Sequence, residues 1–439
     1  IQQAKIMSQK YDVVCTNPPY MGRGGMNPNI VNFVDNNYPN GKNDLYAVFM
    51  QRSSNFLVSN GYQAMITQHS WMFLSSFEKL REEFLEKNIV NMAHLGSRAF
   101  EEISGEVVQT TAFVLINNNI KNYKSSFIRL VNYNNHKEKE KAFILGKHKY
   151  IVDKKVFFKV PNKLIAYWVS ESVFSLFDLG RVSDVYFSGG RNKTHNNEKY
   201  VRYFWEVSLI DEKWVPYANG GEYRKYYGAH LYVVNWSQEA RTEYASYGGL
   251  LNEKFWYKEG ITWGLTSSNR PSFRIKPDKF MYASSSPVIF NQDYNCDYYI
   301  LGYLNSCVCT YLLLVFNPTL STTVNDVYSL PYKTKVNDIR VDNLVYRNIL
   351  ISKTDWDSFE TSWDFKKHPL LAHKKEADTI EEAFTNWSNF AENQFIQLKA
   401  NEEELNRIFI ETYGLQDELT PDVDDKDVTI TRIYESKED

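Results

Sequence analysis

The sequence predicts an α/β domain, followed by a mixed α+β region and a helical C-terminal region. Short apolar runs alternate with segments of helical spacing over residues 1–119. Turn signals and aromatic residues are dense over residues 161–335, and helical periodicity dominates residues 336–414. The 439 residues leave room for two or three such domains.

The first of these regions alternates strand and helix signals. Its predicted strands are residues 11–16, 62–67, 89–95 and 110–117, and its predicted helices are residues 45–56 and 75–87. Either Ser75 or Ser76 is a suitable cap for the second helix. This order is typical of an open α/β sheet that ends with an antiparallel strand.

Charge is unevenly distributed, although the formal net charge is only −3. Residues 121–159 carry eleven Lys or Arg against three acids, and residues 415–439 carry nine acids against three bases. We expect residues 120–160 to form a basic connection and residues 415–439 an acidic, poorly ordered tail. A local basic stretch can bind phosphates, but it can equally be a solvated surface.

The cysteines indicate neither a zinc site nor a disulfide framework. None of the four has a Cys-x-x-Cys spacing or a nearby histidine pair, so no metal is expected. A reducing cytoplasm is the compartment that fits this usage. The four are Cys15, Cys296, Cys307 and Cys309.

The most apolar stretch of the chain is residues 299–316, which Asn305 and Ser306 interrupt. A membrane-spanning helix needs about 20 mainly apolar residues. We therefore predict a buried helix here and no membrane as a partner.

The C-terminal region carries explicit helix signals. Thr379 and Glu382 have capping-box spacing, and Gly414 follows a long run of helical periodicity. One long helix is therefore predicted between these residues.

The tetrapeptide Asn17-Pro18-Pro19-Tyr20 follows the first predicted strand and is the strongest chemical signal in the chain. The exocyclic amine of a nucleobase is a poor nucleophile. The side-chain carbonyl of Asn17 and the backbone carbonyl of Pro18 could hold its hydrogens, because the diproline makes the two acceptors rigid. Tyr20 would stack on a base flipped out of a duplex. Alternatively, this is a stiff loop with a packed tyrosine.

Further segments add to this signal. "NDLYAVF", "MITQHSWMF" and "LGSRAFEEISGEVVQTTAFVLIN" follow the tetrapeptide in an order and spacing that resemble the C-terminal part of gamma-type DNA adenine-N6 methyltransferases. Segments such as "GGRNKTHNNEKYVRYFWEV" and "TDWDSFETSWDFKKHPLL" resemble the large methyltransferases of bacteriophage-exclusion (BREX) systems and type IIG restriction-modification enzymes.

The resemblance implies roles for particular residues. It implies S-adenosyl-L-methionine as the cofactor, with Phe49 packed on its adenine, and Asn17 to Tyr20 as the catalytic loop. Phe100 would touch the flipped base from the side opposite Tyr20. Residues 1–119 would then be the C-terminal half of a Rossmann-like methyltransferase sheet, and residues 161–335 a target-recognition domain.

In such enzymes a glycine-rich cofactor loop precedes the catalytic loop, and no such loop occurs before Asn17. We therefore expect the chain to be the C-terminal part of its enzyme and to be inactive in methyl transfer by itself.

A target-recognition domain should supply cations for phosphates and polar side chains for base edges. Asn192, Asn196, Asn197 and Asn269 lie near candidate cations, although any one of these side chains could equally be an ordinary surface group. The candidate cations are Arg181, Arg191, Lys193, Arg202, Arg224, Lys225, Arg270 and Arg274.

Two alternatives remain open. The chain could be a DNA-binding or partner-docking module without chemistry of its own, or the C-terminal part of a fused restriction endonuclease-methyltransferase. Residues 421–427 contain Pro-Asp and Asp-x-Lys but lack the separation that a nuclease metal site needs. Double-stranded DNA is the expected partner, with other phage-defence proteins as further candidates.

Overall fold

A computed structural model describes residues 2–100, 108–208, 211–267, 270–317, 321–333 and 339–433. The chain divides into two compact units. Unit 1 is Ile1–Asp178 with Val315–Asn317, and unit 2 is Leu179–Leu314 with Pro318–Asp439.

Unit 1 is built on a six-stranded sheet in the order β1-β2-β4-β3-β5-β6. The parallel pairs are β1 with β2 and β3 with β5, whereas β4 is antiparallel to both β2 and β3. The strands are β1 (Tyr11–Thr16), β2 (Leu57–Gln68), β3 (Asn88–Gly96), β4 (Thr110–Ile116), β5 (Lys124–Arg129) and β6 (Lys149–Asp153). The helices are α1 (Gln2–Ser8), α2 (Pro28–Asn37), α3 (Leu45–Asn55), α4 (Glu78–Leu85), α5 (His136–Ile144) and α6 (Glu171–Leu176).

The four strands predicted in this part of the chain are present, with shifted ends. β2 begins at Leu57 rather than at Tyr62, directly after α3. The chain passes through a short 3-10 turn at Ser75–Phe77 before α4, and neither Ser75 nor Ser76 caps that helix. The predicted cap is therefore wrong.

Residues 120–160 are not a connection, which corrects the prediction. They contain β5, α5 and β6, and both strands belong to the sheet. The prediction failed because the strand β5 shows only a short alternation of buried and more exposed residues. Ser125 and Phe127 of β5 are buried, whereas Lys124, Ser126 and Ile128 are more exposed, and the many lysines hide this short pattern.

The two faces of the sheet differ in burial. Gln63, Met65 and Thr67 of β2 point to one face and are buried there. On the opposite face Tyr62 is 42% exposed, and its register partner Val13 is 58% exposed. Parallel strands are normally covered on both faces, so an uncovered apolar face is unusual here.

Unit 2 contains two small sheets and most of the helices. One sheet has the order β12-β8-β9-β7 and the other β11-β10-β13. The strands are β7 (Val201–Tyr203), β8 (Trp214–Ala218), β9 (Tyr232–Asn235), β10 (Gly260–Trp263), β11 (Phe273–Lys276), β12 (Met281–Tyr282) and β13 (Val288–Ile289). The helices are α7 (Asn197–Tyr200), α8 (Gln238–Ser246), α9 (Tyr298–Asn305), α10 (Cys307–Phe316), α11 (Val324–Tyr328), α12 (Ile339–Trp356), α13 (Pro369–Ala372) and α14 (Ile380–Tyr413).

The apolar run predicted as one buried helix forms two helices, α9 and α10, bent by 61°. The break lies at Ser306, which has extended backbone geometry. Asn305 exchanges two hydrogen bonds with the backbone of Phe273, so the polar residues that interrupt the run also set the bend. In the described part of the chain no single helix is long and apolar enough to cross a membrane, although this bent pair passes by length and composition.

The C-terminal helix signals are confirmed. Thr379 and Glu382 form a capping box at the start of α14, and Gly414 ends it with φ 69° and ψ 40°. The following segment is not a free acidic tail as far as residue 433. Val423, Val428 and Ile430 are buried.

Candidate active site

The tetrapeptide begins directly after β1, at the carboxyl end of a parallel pair. The carboxyl ends of parallel strands in open α/β sheets are where ligands bind. Asn17 is exposed, and its side chain makes no hydrogen bond to another residue that the structure describes. Pro18 is buried, so the backbone behind Asn17 is anchored while its amide stays accessible.

Tyr20 is half-buried and packs edge-on against Tyr46 of α3, with 6.0 Å between ring centroids. Tyr46 is fully buried, and its hydroxyl lies 2.7 Å from the Ser70 hydroxyl. Burial, and then the charge of Asp44, raise the pKa of Tyr20, so its phenol stays neutral. A rigid second ring therefore holds the first one in place.

Asp44 connects the loop to α3. One carboxylate oxygen accepts the backbone N–H of Met21 at 3.0 Å and that of Tyr46 at 3.2 Å. The Leu45 N–H donates to the Met21 carbonyl at 3.0 Å. The sequence reasoning missed Asp44, although an aspartate directly before a helical run is the usual signal of an N-cap.

Residues 22–25, with the sequence Gly-Arg-Gly-Gly, follow the tetrapeptide loop and are held by a second contact. Arg23 makes a two-pronged ion pair with Asp35 of α2, at 2.8 and 2.7 Å. Its backbone N–H donates to the Asn43 carbonyl at 2.9 Å. The loop is thus fixed on both α2 and the start of α3.

Phe49 is the one outward-facing residue between Tyr46 and Met50, and it is 39% exposed. An exposed aromatic face on an otherwise buried helical segment suits an apolar planar ligand such as an adenine ring. Phe100 is 36% exposed, and residues 101–107 after it lie outside the described residues.

A cavity of about 540 Å³ lies on the less covered face of the sheet. Cys15, Thr16 and Asn17 line it at the end of β1. Apolar residues of β2 and β4, such as Ala64, Ile66 and Ala112, form part of its lining. Asn17 therefore places a polar amide at the margin of an apolar cavity.

Behind the site, two histidines and a tyrosine form a hydrogen-bonded chain. His69 Nδ1 lies 2.8 Å from His94 Nε2, and His94 Nδ1 lies 3.0 Å from the Tyr167 hydroxyl. Burial lowers the pKa of His69 to about 4 and moves that of His94 well below its ordinary value. Both rings are therefore neutral near pH 7, which lets each share a proton with its neighbour.

Three of the cations predicted to contact DNA form ion pairs or hydrogen bonds with other residues of unit 2. Lys225 is buried, and its ammonium lies 2.7 Å from the carboxylate of buried Glu402. Arg274 is 2% exposed and donates to the Gly220 carbonyl at 2.6 Å. Arg224 pairs with Asp355. Lys225 and Arg274 are buried and Arg224 is ion-paired, so none of the three presents an accessible charge to a phosphate, and the expectation that they contact DNA does not fit this structure.

Two further candidates are partly engaged. Arg202 donates to the Glu198 and Val201 carbonyls, and Arg270 lies 3.6 Å from Asp427. Both keep exposed surface.

The remaining candidates lie at the surface of unit 2. Arg181 is exposed, and its backbone N–H donates to Asp184 at 2.7 Å. The side chains of Arg191 and Lys193 make no hydrogen bond or ion pair with another residue in the described part of the chain.

The candidate asparagines also differ in burial and in their hydrogen bonds. Asn192 is buried, whereas Asn196 caps α7 by accepting the Lys199 N–H at 3.0 Å. Asn197 accepts the Thr194 hydroxyl at 2.5 Å. Asn269 lies outside the described residues.

Some lysines of the basic residues 120–160 also form hydrogen bonds within unit 1. Lys139 is buried and donates to the Leu95 and Leu130 carbonyls at 2.7 and 2.8 Å. Lys154 donates to the Lys87 carbonyl at 2.8 Å. These two lysines fasten loops around the sheet, so they are not among the free charges of this stretch.

Comparison with known proteins identifies the first part of unit 1. Residues 2–100 match the family model described as Eco57I restriction-modification methylase.

Beyond this Eco57I-type segment, the similarity extends over nearly the whole chain. The chain is 39% identical over 468 aligned positions to the adenine-specific methyltransferase PglX of Lacticaseibacillus casei (strain Zhang), covering 98% of this chain and 38% of PglX. It is 35% identical over 447 positions to the adenine-specific methyltransferase BrxX of Escherichia coli O9:H4 (strain HS), covering 99% of this chain and 36% of BrxX. The chain thus spans less than two fifths of either relative.

A solved structure shares the fold over most of the chain. The Type IIL restriction-modification enzyme MmeI in complex with DNA superposes with a TM-score of 0.50 at 12% identity, over 93% of this chain and 55% of MmeI. At this identity the likeness concerns the fold alone.

Proposed function

We propose that this chain is part of a DNA adenine-N6 methyltransferase that acts in phage defence or restriction-modification. The observation that carries the proposal is the accessible Asn17 amide on a rigid loop, directly after β1 in the Eco57I-type segment. The similarity to PglX and BrxX supports adenine as the base.

In this proposal Asn17 and the Pro18 carbonyl accept the two hydrogens of the adenine amine. Their fixed positions favour the tetrahedral nitrogen that develops as it attacks. Tyr20, held by Tyr46, stacks on the flipped base, and exposed Phe100 lies on its other side. The Asn17 carbonyl can accept a hydrogen bond but is too weak a base to remove the proton that the methylated nitrogen loses, so this proton passes to solvent.

S-adenosyl-L-methionine would supply the electrophilic methyl group. Phe49 would cover its adenine with the ring face that the helix leaves exposed. The Asp44 contacts would keep the start of α3, and with it Phe49, in register with the Asn17 loop.

Unit 2 would bind double-stranded DNA and select the target sequence. Its similarity in fold to the corresponding part of MmeI, a structure in complex with DNA, supports this role. The accessible cations Arg181, Arg191 and Lys193 are the strongest candidates for contacts, with Arg202 and Arg270 as further ones.

The catalytic part of the proposal is tested by Asn17→Ala in the full-length protein. Removing one preorganised polar partner costs about 10²–10³ in rate, so methylation should fall by that factor while DNA affinity stays the same. The measurements are transfer of a labelled methyl group and equilibrium DNA binding.

Asn29→Ala is the matched control. Asn29 is an exposed asparagine of α2 whose side chain makes no hydrogen bond to another described residue. It should methylate like the unchanged protein. Normal turnover of Asn17→Ala would mean that the loop has only a structural role.

The division of labour is tested by chimeras. Residues 160–332 would be exchanged with those of a relative that methylates a different sequence. We expect the modified sequence to follow the donor of residues 160–332. If it follows the donor of residues 1–119 instead, unit 2 does not select the target.

A further inference from the structure

Unit 2 contains a polar cavity of about 330 Å³ to which no role has been assigned. Its lining comes from residues 192–197, the end of β8 and the segment after β12. Asparagine and hydroxyl side chains predominate, together with Lys193 and His195, and none of the ten lining residues carries a carboxylate. The charged group of the cavity is therefore a cation.

Residues 191–195 are anchored so that alternate side chains face outward. Asn192 and Thr194 are buried, whereas Arg191 and His195 are exposed and Lys193 is half-buried. The Asn192 carbonyl accepts the Ser284 N–H at 3.1 Å, and the Lys193 N–H donates to the Gly249 carbonyl at 2.8 Å. The backbone that carries Lys193 is therefore fixed before any ligand arrives.

The cavity presents donors rather than acceptors. The Asn197 side-chain oxygen accepts the Thr194 hydroxyl at 2.5 Å, and the Asn219 side-chain oxygen accepts the Ser285 hydroxyl at 2.7 Å. Both amide NH₂ groups are left without a partner among the residues that the structure describes, and so is the Lys193 ammonium. The two amides and the ammonium are three donor groups, and the ammonium also carries a positive charge. Such a set is complementary to an anion with several acceptor oxygens.

We propose that this cavity binds a phosphodiester group of the DNA backbone, through the Lys193 ammonium and the amide groups of Asn197 and Asn219. The inference rests on the proposed function of unit 2 in DNA binding. Because the contact is to phosphate, it positions the duplex and does not select its sequence.

The test is Lys193→Gln in the full-length protein, with binding measured by fluorescence anisotropy on a cognate and an unrelated duplex over a range of salt concentrations. Loss of one phosphate contact should lower the log–log salt slope by about 0.9 and weaken binding to both duplexes alike. The methylated sequence should stay the same. Asn219→Ala should weaken binding to both duplexes by the same factor. The net charge of the protein stays the same in this variant.

Lys279→Gln is the matched control, because Lys279 is an exposed lysine of unit 2 without a side-chain partner among the described residues. Equal binding by the Lys193 and Lys279 variants would overturn the proposal. A changed methylation motif, or a loss confined to the cognate duplex, would also overturn it and indicate base reading. Failure of the unchanged protein to bind any duplex would instead refute the proposed function of unit 2.

Discussion

The carboxylate of Asp44 accepts the backbone N–H of Met21 at 3.0 Å, one residue after the candidate catalytic tyrosine. The same oxygen caps α3, so one side chain couples the loop to the helix that carries Tyr46 and Phe49. Burial raises the pKa of Asp44, and the hydrogen bonds from these backbone groups oppose the rise. Loop position and helix start are thus set together.

Replacing Asp44 tests its two roles, which are to hold the loop at Met21 and to cap α3. Asp44→Ala removes both bonds, and a hydrogen bond to a charged group contributes about 1.5–3 kcal/mol. We expect methylation by the full-length protein to fall about tenfold or more, with a loss of stability of about 1.5–3 kcal/mol because the helix cap and the bond to the loop are both lost. Steady-state methylation and urea unfolding measure the two effects.

Asp44→Ser is the discriminating variant. Serine is a good N-cap, but its shorter side chain does not reach Met21 as well. We expect stability to return while methylation stays low. Full recovery of methylation in Asp44→Ser would show that only the helix cap matters.

The His69–His94–Tyr167 chain predicts an acid-sensitive unit 1. Burial lowers the pKa of His69 to about 4, below the ordinary 6.5 of a histidine in the unfolded chain. Between these values the unfolded chain binds more protons, so stability falls as the pH is lowered from about 6.5 toward 4. The limiting slope is about 1.4 kcal/mol per pH unit for each such histidine. Hydrogen exchange of the β2 and β3 amides between pH 7.5 and 4.5 would measure it.

Variants assign this slope to the right groups. His69→Gln and His94→Gln should flatten the pH dependence in β2 and β3. His230→Gln is the control, because burial also lowers the pKa of His230, to about 3, but that residue lies in unit 2. An unchanged slope in the His69 and His94 variants would contradict the explanation.

The buried pair of Lys225 and Glu402 predicts a stability effect without a DNA effect. Burial is the largest influence and lowers the pKa of Lys225, but the charge and hydrogen bond of Glu402, together with Tyr223 and Asp427, outweigh it and raise this pKa. Lys225→Met leaves Glu402 buried and unpaired, which costs about 3–5 kcal/mol. The double variant Lys225→Met with Glu402→Met should recover most of this loss in urea unfolding. DNA affinity of the double variant should match that of the unchanged protein, and a weaker affinity would restore Lys225 as a candidate contact.

Local patterns in the sequence predict much of this fold. Apolar runs locate the first four strands, and the Thr379 capping box with Gly414 locates α14. The patterns fail where long-range packing decides. β5 and β6 are short strands in a lysine-rich stretch. β5 pairs with β3, which lies much earlier in the chain, and β6 then pairs with β5.

The candidate site shows the same limit. The tetrapeptide can be recognised by its chemistry, and Asp44 could have been found as an N-cap. Burial of individual cations could not be predicted, because Arg224, Lys225 and Arg191 look alike in sequence. Only the distant partners Asp355 and Glu402 separate the first two from the third.

Two neighbouring glycines give a matched test of the phosphate cavity that leaves its lining side chains unchanged. A Cβ at Gly249 would lie 2.3 Å from the Lys193 carbonyl oxygen, so Gly249→Ala must displace the segment that carries Lys193. A Cβ at Gly248 would meet no atom within 4 Å, but its φ of 67° costs another residue about 1–2 kcal/mol. We expect Gly248→Ala to lose stability and keep its DNA affinity, and Gly249→Ala to lose affinity for the cognate and the unrelated duplex by the same factor. Anisotropy titrations and urea unfolding measure both, and unchanged affinity in Gly249→Ala would show that the position of Lys193 does not matter for DNA binding.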